Sequence, residues 1–264
     1  MTASFIVDEL KAVDYDRYLL GFFVPRAVRE GVWALYLLNH EIARTRSMVT
    51  DTNLGLIRLQ WWRDEIARLY DGRGCGQIPV LSTLAPYVER YGLKQDYFDQ
   101  IIYAREFDLE DRPPSNEEGL CNYARFLGEP LNRLALQMIG GNVDDGEVID
   151  ISRNFELMKL IRGVPFMLSE GRFYLPQNWV DSKGLSVDKL VNNNEKSAIV
   201  DMVERASSLV VPYRKPENRF LCVQQKMTDI WLKKLRKNGF DVFNSHNHVN
   251  PKFFGLRLLF SPRG

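Results

Sequence analysis

Cysteine and histidine are scarce in this sequence, and their arrangement excludes several kinds of site. The 264 residues include three cysteines, Cys75, Cys121 and Cys222. Being distant from one another and odd in number, they form neither a disulfide framework nor a C-x-x-C zinc or redox site, and a reducing compartment is expected. His246 and His248 have a spacing that suits a metal, but no further Cys or His is near, so we interpret this stretch as an ordinary loop.

The sequence also lacks an excess of charge of one sign and any long hydrophobic run. Lys plus Arg number 35 and Asp plus Glu 34, a net charge of +1, so no nucleic-acid partner is expected. No run approaches the roughly 20 apolar residues of a membrane span. The first residues, Met1–Leu10, include acidic side chains where a targeting peptide would be basic. We therefore expect a cytoplasmic protein, at most peripheral to the inner membrane, or a mitochondrial matrix protein in a eukaryote.

Helical periodicity is what the sequence does contain, along nearly all of its length, whereas alternating strand patterns are not found. With 45% hydrophobic residues the chain can bury a large core. No segment has linker or low-complexity composition, so we predict an all-α protein with one domain over residues 1–264. The predicted helices are Asp8–Gly21, Pro25–Val49, Asn53–Tyr70, Pro79–Tyr91, Gln95–Leu109, Asn116–Ile139, Asp145–Leu168, Glu195–Val210, Asn218–Lys237 and Pro251–Phe260.

The stretch Val28–Val49 is the segment on which the functional interpretation depends. Apolar residues recur in it every three to four positions, which predicts one buried stripe of a long helix. A second row at the same spacing can face a cavity between helices. The buried stripe is Val28, Val32, Leu35, Leu38 and Ile42, and the second row is Tyr36, Asn39 or His40, Ala43 and Ser47.

Three further predicted helices contain prolines or adjacent tryptophans that bear on how they pack. Pro130, beside Gly128, and Pro165 fall late in their helices and indicate a bend or a helix end, or else a kink that opens a central pocket. The adjacent Trp61 and Trp62 point about 100° apart, so at most one is expected to be fully in the core. The stripe predicted to be buried in that helix is Leu54, Ile57, Trp61, Ile66 and Leu69.

The late helix containing Trp231–Lys237 combines a basic face with an apolar one. Its basic side chains are Lys233, Lys234, Arg236 and Lys237, opposite Ile230, Trp231 and Leu235. This arrangement is typical of a solvated basic face, and it also suits a peripheral contact with an anionic membrane surface.

Four pieces of sequence, taken in order, carry a resemblance to a known family. They are Val32-Trp-Ala-Leu-Tyr36 with Glu41; Gly55-Leu-Ile-Arg-Leu-Gln-Trp-Trp-Arg63; Tyr123 followed by Gly128; and Leu160-Ile-Arg162 leading to Gly171-Arg-Phe-Tyr-Leu-Pro176. Together they resemble the squalene/phytoene synthase family, whose members join two isoprenoid diphosphates head to head. The resemblance covers most of the chain and implies a helical bundle of the isoprenoid synthase type.

The same resemblance implies where a metal site would lie. Active members place two aspartate-rich clusters on facing helices, where they hold Mg²⁺ that neutralises the leaving diphosphate. At the first cluster this chain reads Ala43, Arg44, Thr45, Arg46 and Ser47, and at the second the corresponding residues are Lys159, Gly163 and Met167. We therefore expect no metal ligand, no catalytic residue and no cofactor, Mg²⁺ entering only if the protein is nevertheless an active synthase.

Several residues still match pocket positions of the family and are the predicted substrate-binding residues. His40 stands where the family usually has an Arg that touches diphosphate, whereas Asp14–Tyr18 replaces a Ser-, Phe- and Lys-containing stretch. For the arginines and tyrosines a purely structural role is the alternative. The predicted binding residues for an isoprenoid, lipid or diphosphate are Tyr36, His40, Tyr123, Lys159, Arg162, Arg172 and Tyr174.

Within the family, one divergent branch is the more similar. It includes the mitochondrial, phytoene synthase-like assembly factor of respiratory complex I and bacterial relatives, and the shared features are Asn39-x-Glu-Ile-Ala43, the Trp-Trp helix and Phe240-Asp-Val-Phe243. The resemblance implies a bacterial pseudoenzyme that binds lipid or assists assembly with a respiratory-complex partner. The alternatives are an active prenyltransferase that holds diphosphate through Arg and Lys, and a plain interaction module without a lipid pocket.

Overall fold

A computed structural model describes residues 2–72, 77–193, 195–212 and 216–260, without the side chains of 2–4, 193 and 248. Cys75 and the His248 side chain therefore lie outside the described part. Every regular element in that part is helical, which confirms the predicted all-α class. The α-helices are α1 Thr2–Val13, α2 Tyr15–Leu20, α3 Arg29–Ala43, α4 Thr45–Met48, α5 Thr52–Tyr70, α6 Pro79–Tyr91, α7 Gln95–Leu109, α8 Glu117–Ile139, α9 Asp145–Ser169, α10 Gln177–Ser182, α11 Val187–Asn193, α12 Lys196–Ser208, α13 Arg219–Lys237 and α14 Phe254–Leu259.

The first of two compact units comprises the chain up to Glu110 together with Glu129–Val143. Its central element is α3, which packs against α1, α6 and α7. Every residue of α3 from Gly31 to Asn39 is buried, and the predicted stripe, from Val28 to Ile42, is at most 3% exposed. A helix that is apolar nearly all round belongs in the core of its unit.

The second unit comprises Asp111–Gly128 and Asp144–Gly264. Here α9 is the central helix and packs against α11, α12 and α13. Its start is fixed by Asp144, whose carboxylate accepts a hydrogen bond from the amide of Glu147, as expected for an acidic residue at a helix N-terminus. The prediction of one domain over the full length stays a prediction.

Two long predicted helices are each divided in the structure. The first is interrupted at Asp14, whose side chain caps α2 by accepting from the amide of Arg17. The second begins at Arg29 instead of Pro25 and is interrupted at Arg44, after which α4 starts a new turn. The short helices α10 and α11 were not predicted, because six or seven residues are too few for a clear periodic pattern.

The predicted buried stripe of α5 is confirmed at Ile66 and wrong at its first three positions. Leu54, Ile57 and Trp61 are 55%, 66% and 41% exposed, so they form an outer face. The buried positions include Gly55, Leu59, Trp62 and Ile66. Gly55 accounts for which face of α5 packs against α7. A Cβ at this position would lie 2.5 Å from a methyl of Leu109, so only a residue without a side chain lets α7 approach closely. The expectation that at most one of the two tryptophans is in the core is confirmed, since Trp62 is 3% exposed.

Both prolines of the late helix positions lie inside continuous helices. α8 continues past Pro130 to Ile139 and α9 continues past Pro165 to Ser169, so neither proline ends its helix. A third, Pro86, lies inside α6. Among the described residues no helix combines the length and apolar character needed to cross a bilayer.

Candidate functional site

In the first unit, the predicted pocket row of α3 begins with a buried tyrosine. Tyr36 is 1% exposed, and the guanidinium carbon of Arg17 lies 5.6 Å from its ring centroid. Arg17 is itself buried and forms an ion pair with Asp14, with 2.9 Å between Nη1 and Oδ2. The stretch that departs from the family's second diphosphate segment therefore places a cation on a pocket position, together with its own counter-charge. Sequence reasoning named Tyr36 but missed Arg17.

The end of α3 is occupied by local polar contacts. His40 is half-buried in the last turn, and its carbonyl accepts a hydrogen bond from the amide of Arg44. The Arg44 side chain pairs with Glu41 at 3.1 Å, and the Ser47 hydroxyl donates to the Arg44 carbonyl at 3.0 Å. Ala43 contributes only a methyl group. This helix end offers a neutralised ion pair and a hydroxyl engaged with backbone.

One row down from Tyr36, a buried polar group joins α3 to α7. The Arg105 side chain donates to Asn39 Oδ1 at 3.4 Å and pairs with Asp108 at 3.2 Å. Asn39 and Asp108 are 3% and 7% exposed. This pairing gives the buried carboxylate of Asp108 a charged hydrogen-bond partner inside the unit. It was not anticipated, because the partners are distant in sequence.

In the second unit, α9 carries the cationic part of the predicted site. The guanidinium carbon of Arg162 lies 3.4 Å from the ring centroid of Trp231, which is 2% exposed. Lys234 lies 5.0 Å from the same centroid, and burial together with the charge of Arg162 lowers the pKa of its ammonium group. Two cations over one indole make this the most electropositive contact among the predicted site residues. Lys159, one turn before Arg162, lies 5.9 Å from the ring of Phe155.

Where the resemblance implies the two aspartates of the second metal cluster, this chain has Gly163 and Met167, neither of which carries a carboxylate. A Cβ at Gly163 would meet the terminal methyl of Met167 at 3.6 Å, an ordinary contact. Met167 is 9% exposed. Gly163 has only a hydrogen atom in place of a side chain, and Met167 presents its terminal methyl near it.

The remaining predicted residues form a small cluster at the loop after α9. Tyr123 and Tyr174 are 8% and 4% exposed, and their rings stack with centroids 5.9 Å apart. Gly171 turns the chain with φ of 73°, a conformation that glycine adopts without strain. Arg172 follows, and its guanidinium lies 3.6 Å from the carboxylate of Glu170. The structure thus brings Tyr123 to Tyr174, and Arg162 to Trp231 and Lys234.

Mg²⁺ is the ion that the fold family implies, and its fit can be judged from the donors present. Mg²⁺ binds through carboxylate oxygens and water in a near-octahedral shell. Ala43, Ser47, Gly163 and Met167 supply none of those carboxylates, so these four positions do not fit the ion. Within the described ranges no group of three or more His, Cys, Asp and Glu side chains is placed to hold a metal.

A surface groove of about 350 Å³ lies in the first unit, between the start of α3 and α6. Ala27, Glu30, Thr83, Tyr87 and Arg90 are among the residues that line it. None of these is a predicted site residue. Burial, and next the charge of Glu30, raise the pKa of the Tyr87 hydroxyl, so it stays protonated at neutral pH. The groove is polar and has no carboxylate pair that a diphosphate-bound metal would require.

The helical architecture and the tyrosine and arginine positions define a class of isoprenoid synthase-like proteins, and the chain belongs to the squalene/phytoene synthase family, whose profile matches residues 10–252. It is 25% identical over 255 residues to complex I assembly factor 6 of NADH dehydrogenase (ubiquinone) from Homo sapiens, covering 92% of this chain and 76% of that protein. It is also 25% identical over 203 residues to a presqualene diphosphate synthase from Rhodopseudomonas palustris, covering 74% and 72%.

Solved structures agree on the fold. A dehydrosqualene synthase superposes with a TM-score of 0.71 at 14% identity, covering 98% of this chain and 94% of the other. A squalene synthase from Alicyclobacillus acidocaldarius superposes with a TM-score of 0.66 at 20% identity, covering 89% and 94%. At these identities the likeness establishes the isoprenoid synthase-type fold and leaves the chemistry to the residues of the site.

Proposed function

We propose that the chain is a non-catalytic member of the squalene/phytoene synthase family, one that keeps the fold as a lipid-binding or assembly factor for a respiratory NADH dehydrogenase complex. The observation that carries the proposal is the set of residues where the resemblance places the family's aspartates: Ala43, Arg44 and Ser47 at the first cluster, and Gly163 and Met167 at the second. Relatives that are complex I assembly factors span nearly the whole chain, which supports the assembly role.

The contacts at these positions explain why metal-dependent ionisation is not expected. A diphosphate leaves as a multiply charged anion, and Mg²⁺ lowers that barrier by neutralising the developing charge. At the end of α3 the nearest carboxylate, Glu41, is paired with Arg44. At the matching place on α9, Gly163 has no side chain and Met167 supplies only a thioether. Binding Mg²⁺ would require new carboxylates at both places.

The catalytic half of the proposal is tested with purified protein, farnesyl or geranylgeranyl diphosphate, and Mg²⁺. We expect no condensed product, while a presqualene diphosphate synthase assayed in parallel forms it. Binding of the same diphosphates, measured by calorimetry with and without Mg²⁺, reports separately on a retained lipid ligand. A head-to-head product that disappears on adding a chelator would refute the proposal.

The assembly half is tested in the organism that carries the gene. Deleting the gene should lower the amount of fully assembled NADH dehydrogenase complex on native gels, with its subunits still synthesised. Re-expression of the chain should restore assembly. With the Arg162→Met variant, the amount of assembled complex should follow the amount of folded variant protein in the cell. Normal complex levels in the deletion strain would contradict the assembly role.

An active prenyltransferase is the second candidate, and two observations favour it. Relatives of similar identity include presqualene diphosphate synthases, and the second unit carries Arg162 and Arg172 at pocket positions, with Lys159 one turn before Arg162. Preorganised cations can stabilise a leaving diphosphate without a metal. Reversing the charge of Arg162 and Arg172 to Glu should then abolish binding of farnesyl diphosphate, with Lys189→Glu, an exposed position of α11, as the control. Unchanged binding in the double variant excludes this candidate.

A further inference from the structure

The short helix α14 presents an apolar face to solvent. Leu256 and Leu259 are 53% and 55% exposed, and Phe253 and Phe260 at its two ends are 74% and 81% exposed. Phe254 and Leu258, one turn apart on the opposite face, are 4% and 0% exposed. The segment therefore has apolar side chains on two opposite faces, and only one of these faces is buried within its unit.

The segment is anchored to the core of its unit. The ring of Phe254 lies edge-on to Trp231, with centroids 5.5 Å apart. The ammonium group of Lys234 donates a hydrogen bond to the carbonyl of Val249. These contacts hold the buried face of α14 on the last turns of α13, so the outer face is displayed in a fixed orientation. The apolar face of α13 is not available for any such display, because Trp231 and Leu235 are each 2% exposed.

Phe253 adds a strained backbone to this exposed face. Its φ is 59°, in the left-handed region, where the backbone of a bulky residue is strained. A buried aromatic could offset that strain through packing, but Phe253 has most of its side chain in water. Phe253 thus adds an exposed aromatic ring to the outer face of this segment.

The charge around α14 has one sign. Between Ile230 and Phe260 the sequence has six Lys or Arg residues and one carboxylate, Asp241, whereas the whole chain is balanced at 35 against 34. Asp241 is engaged locally, since its side chain accepts from the amide of Phe243. The exposed basic residues of this segment are Lys233, Arg236, Lys237, Lys252 and Arg257.

We propose that α14, together with Phe253 and Phe260, is a docking element for the surface of an anionic phospholipid bilayer. Two leucines and two phenylalanines would enter the boundary between head groups and acyl chains, while Lys252 and Arg257 beside them contact lipid phosphates. Charge complementarity favours this occupant, because an anionic surface matches a segment that carries six basic residues and one acidic residue. The exposed apolar face of α5 differs, since Asp51 and Asp64 are exposed on that helix or at its cap.

The proposal does not depend on the function proposed above, and vesicle binding of the full chain tests it. Vesicles of phosphatidylcholine alone are compared with vesicles that also contain phosphatidylglycerol, by flotation. We expect binding only to the anionic vesicles, weakening as salt screens the lysines and arginines. The apolar variant is Leu256→Ser with Phe260→Ser, and its matched control is Leu54→Ser with Ile57→Ser on α5. The charge variant is Lys252→Glu with Arg257→Glu, and its control is Arg26→Glu with Lys189→Glu.

Each α14 variant should lower the partition coefficient by roughly tenfold or more, and each control should leave it within about twofold of the parent. Equal binding to both vesicle types, no binding to either, or full binding by both α14 variants would each overturn the proposal. Sedimentation of the same proteins without lipid identifies a different occupant: a dimer that the apolar α14 variant dissociates would assign this face to a second copy and would likewise overturn it. All exchanged side chains are exposed, so circular dichroism of the variants should match the parent.

Discussion

Helices α3 and α9 are the two places where the family resemblance implies metal-binding aspartates, and the chain fills them in different ways. α3 is buried on all sides from Gly31 to Asn39 and then ends in a cluster of local polar contacts around Arg44. α9 continues through the corresponding region as an unbroken helix, with Arg162 stacked on Trp231 and a glycine where a carboxylate would stand. At the first place the helix is interrupted at Arg44, and at the second the helix continues but Gly163 has no side chain.

This difference concerns how closely the residues of α3 and of α9 are packed. The residues that pack α3 into its unit are held by close contacts that tolerate little change. On α9, Arg162 lies on the Trp231 ring, and a Cβ at Gly163 would make only an ordinary contact with Met167. Substitutions should therefore have large effects on stability around α3 and smaller ones around the cationic part of α9.

The largest effect is expected from Gly21→Ala, which acts on α3 through Trp33. A Cβ at Gly21 would lie 1.9 Å from Trp33 Nε1, an atom that donates to the carbonyl of Tyr18 at 3.0 Å. Trp33 is 9% exposed and cannot move aside without breaking that bond. Overpacking of this kind costs about 1–3 kcal/mol, and the free energy of unfolding in urea should fall by that amount.

A second variant shows whether the clash itself is responsible. In a Trp33→Phe background the indole nitrogen is gone, so adding Gly21→Ala should cost clearly less than in the parent. Equal costs in both backgrounds would mean that the strain arises in the backbone around Gly21, and the close packing of α3 would no longer explain it.

Helix existence and the core of α3 could be predicted from the sequence because both depend on periodicity. The buried stripe from Val28 to Ile42 is confirmed, and most long helices end within a few residues of their predicted ends. The stripe of α5 could not be predicted correctly, because Leu54 and Ile57 are as apolar as a core residue and the orientation is set by the space above Gly55. A glycine at a helix–helix contact is recognisable only when its neighbour is known.

The candidate site stays a prediction, and short sequence motifs are what single out Tyr36, Tyr123, Arg162 and Tyr174. The partners that define their surroundings come from distant segments, as with Arg17 beside Tyr36 and Trp231 beneath Arg162. Lys234 carries one local signal, since it follows Trp231 by three helical positions and so lies near its ring. Which basic residues of α13 face Arg162 depends on how the two helices pack.

An intermediate effect is expected from Arg162→Met, which removes the cation from the Trp231 ring while keeping a long side chain. Loss of the contact should cost about 0.5–2 kcal/mol of unfolding free energy. Because the charge of Arg162, after burial, lowers the pKa of the Lys234 ammonium group, that pKa should rise in the variant. Nuclear magnetic resonance of the lysine side chain measures it directly. An unchanged Lys234 pKa would show that the two cations do not share the indole, and the contrast with α3 would lose its basis.

The smallest effect, and one of opposite sign, is expected from Gly163→Ala. Gly163 lies inside α9 with helical backbone, and the added methyl would meet only the Met167 terminal methyl at 3.6 Å. Alanine restricts the unfolded chain and favours helix, so stability should rise by about 0.5–1 kcal/mol, where the same exchange at Gly21 lowers it. Urea unfolding of the two single variants and the double variant measures both signs and their independence. A loss of stability at Gly163 would mean that this part of α9 is as closely packed as α3, and that glycine stands there for space rather than in place of a carboxylate.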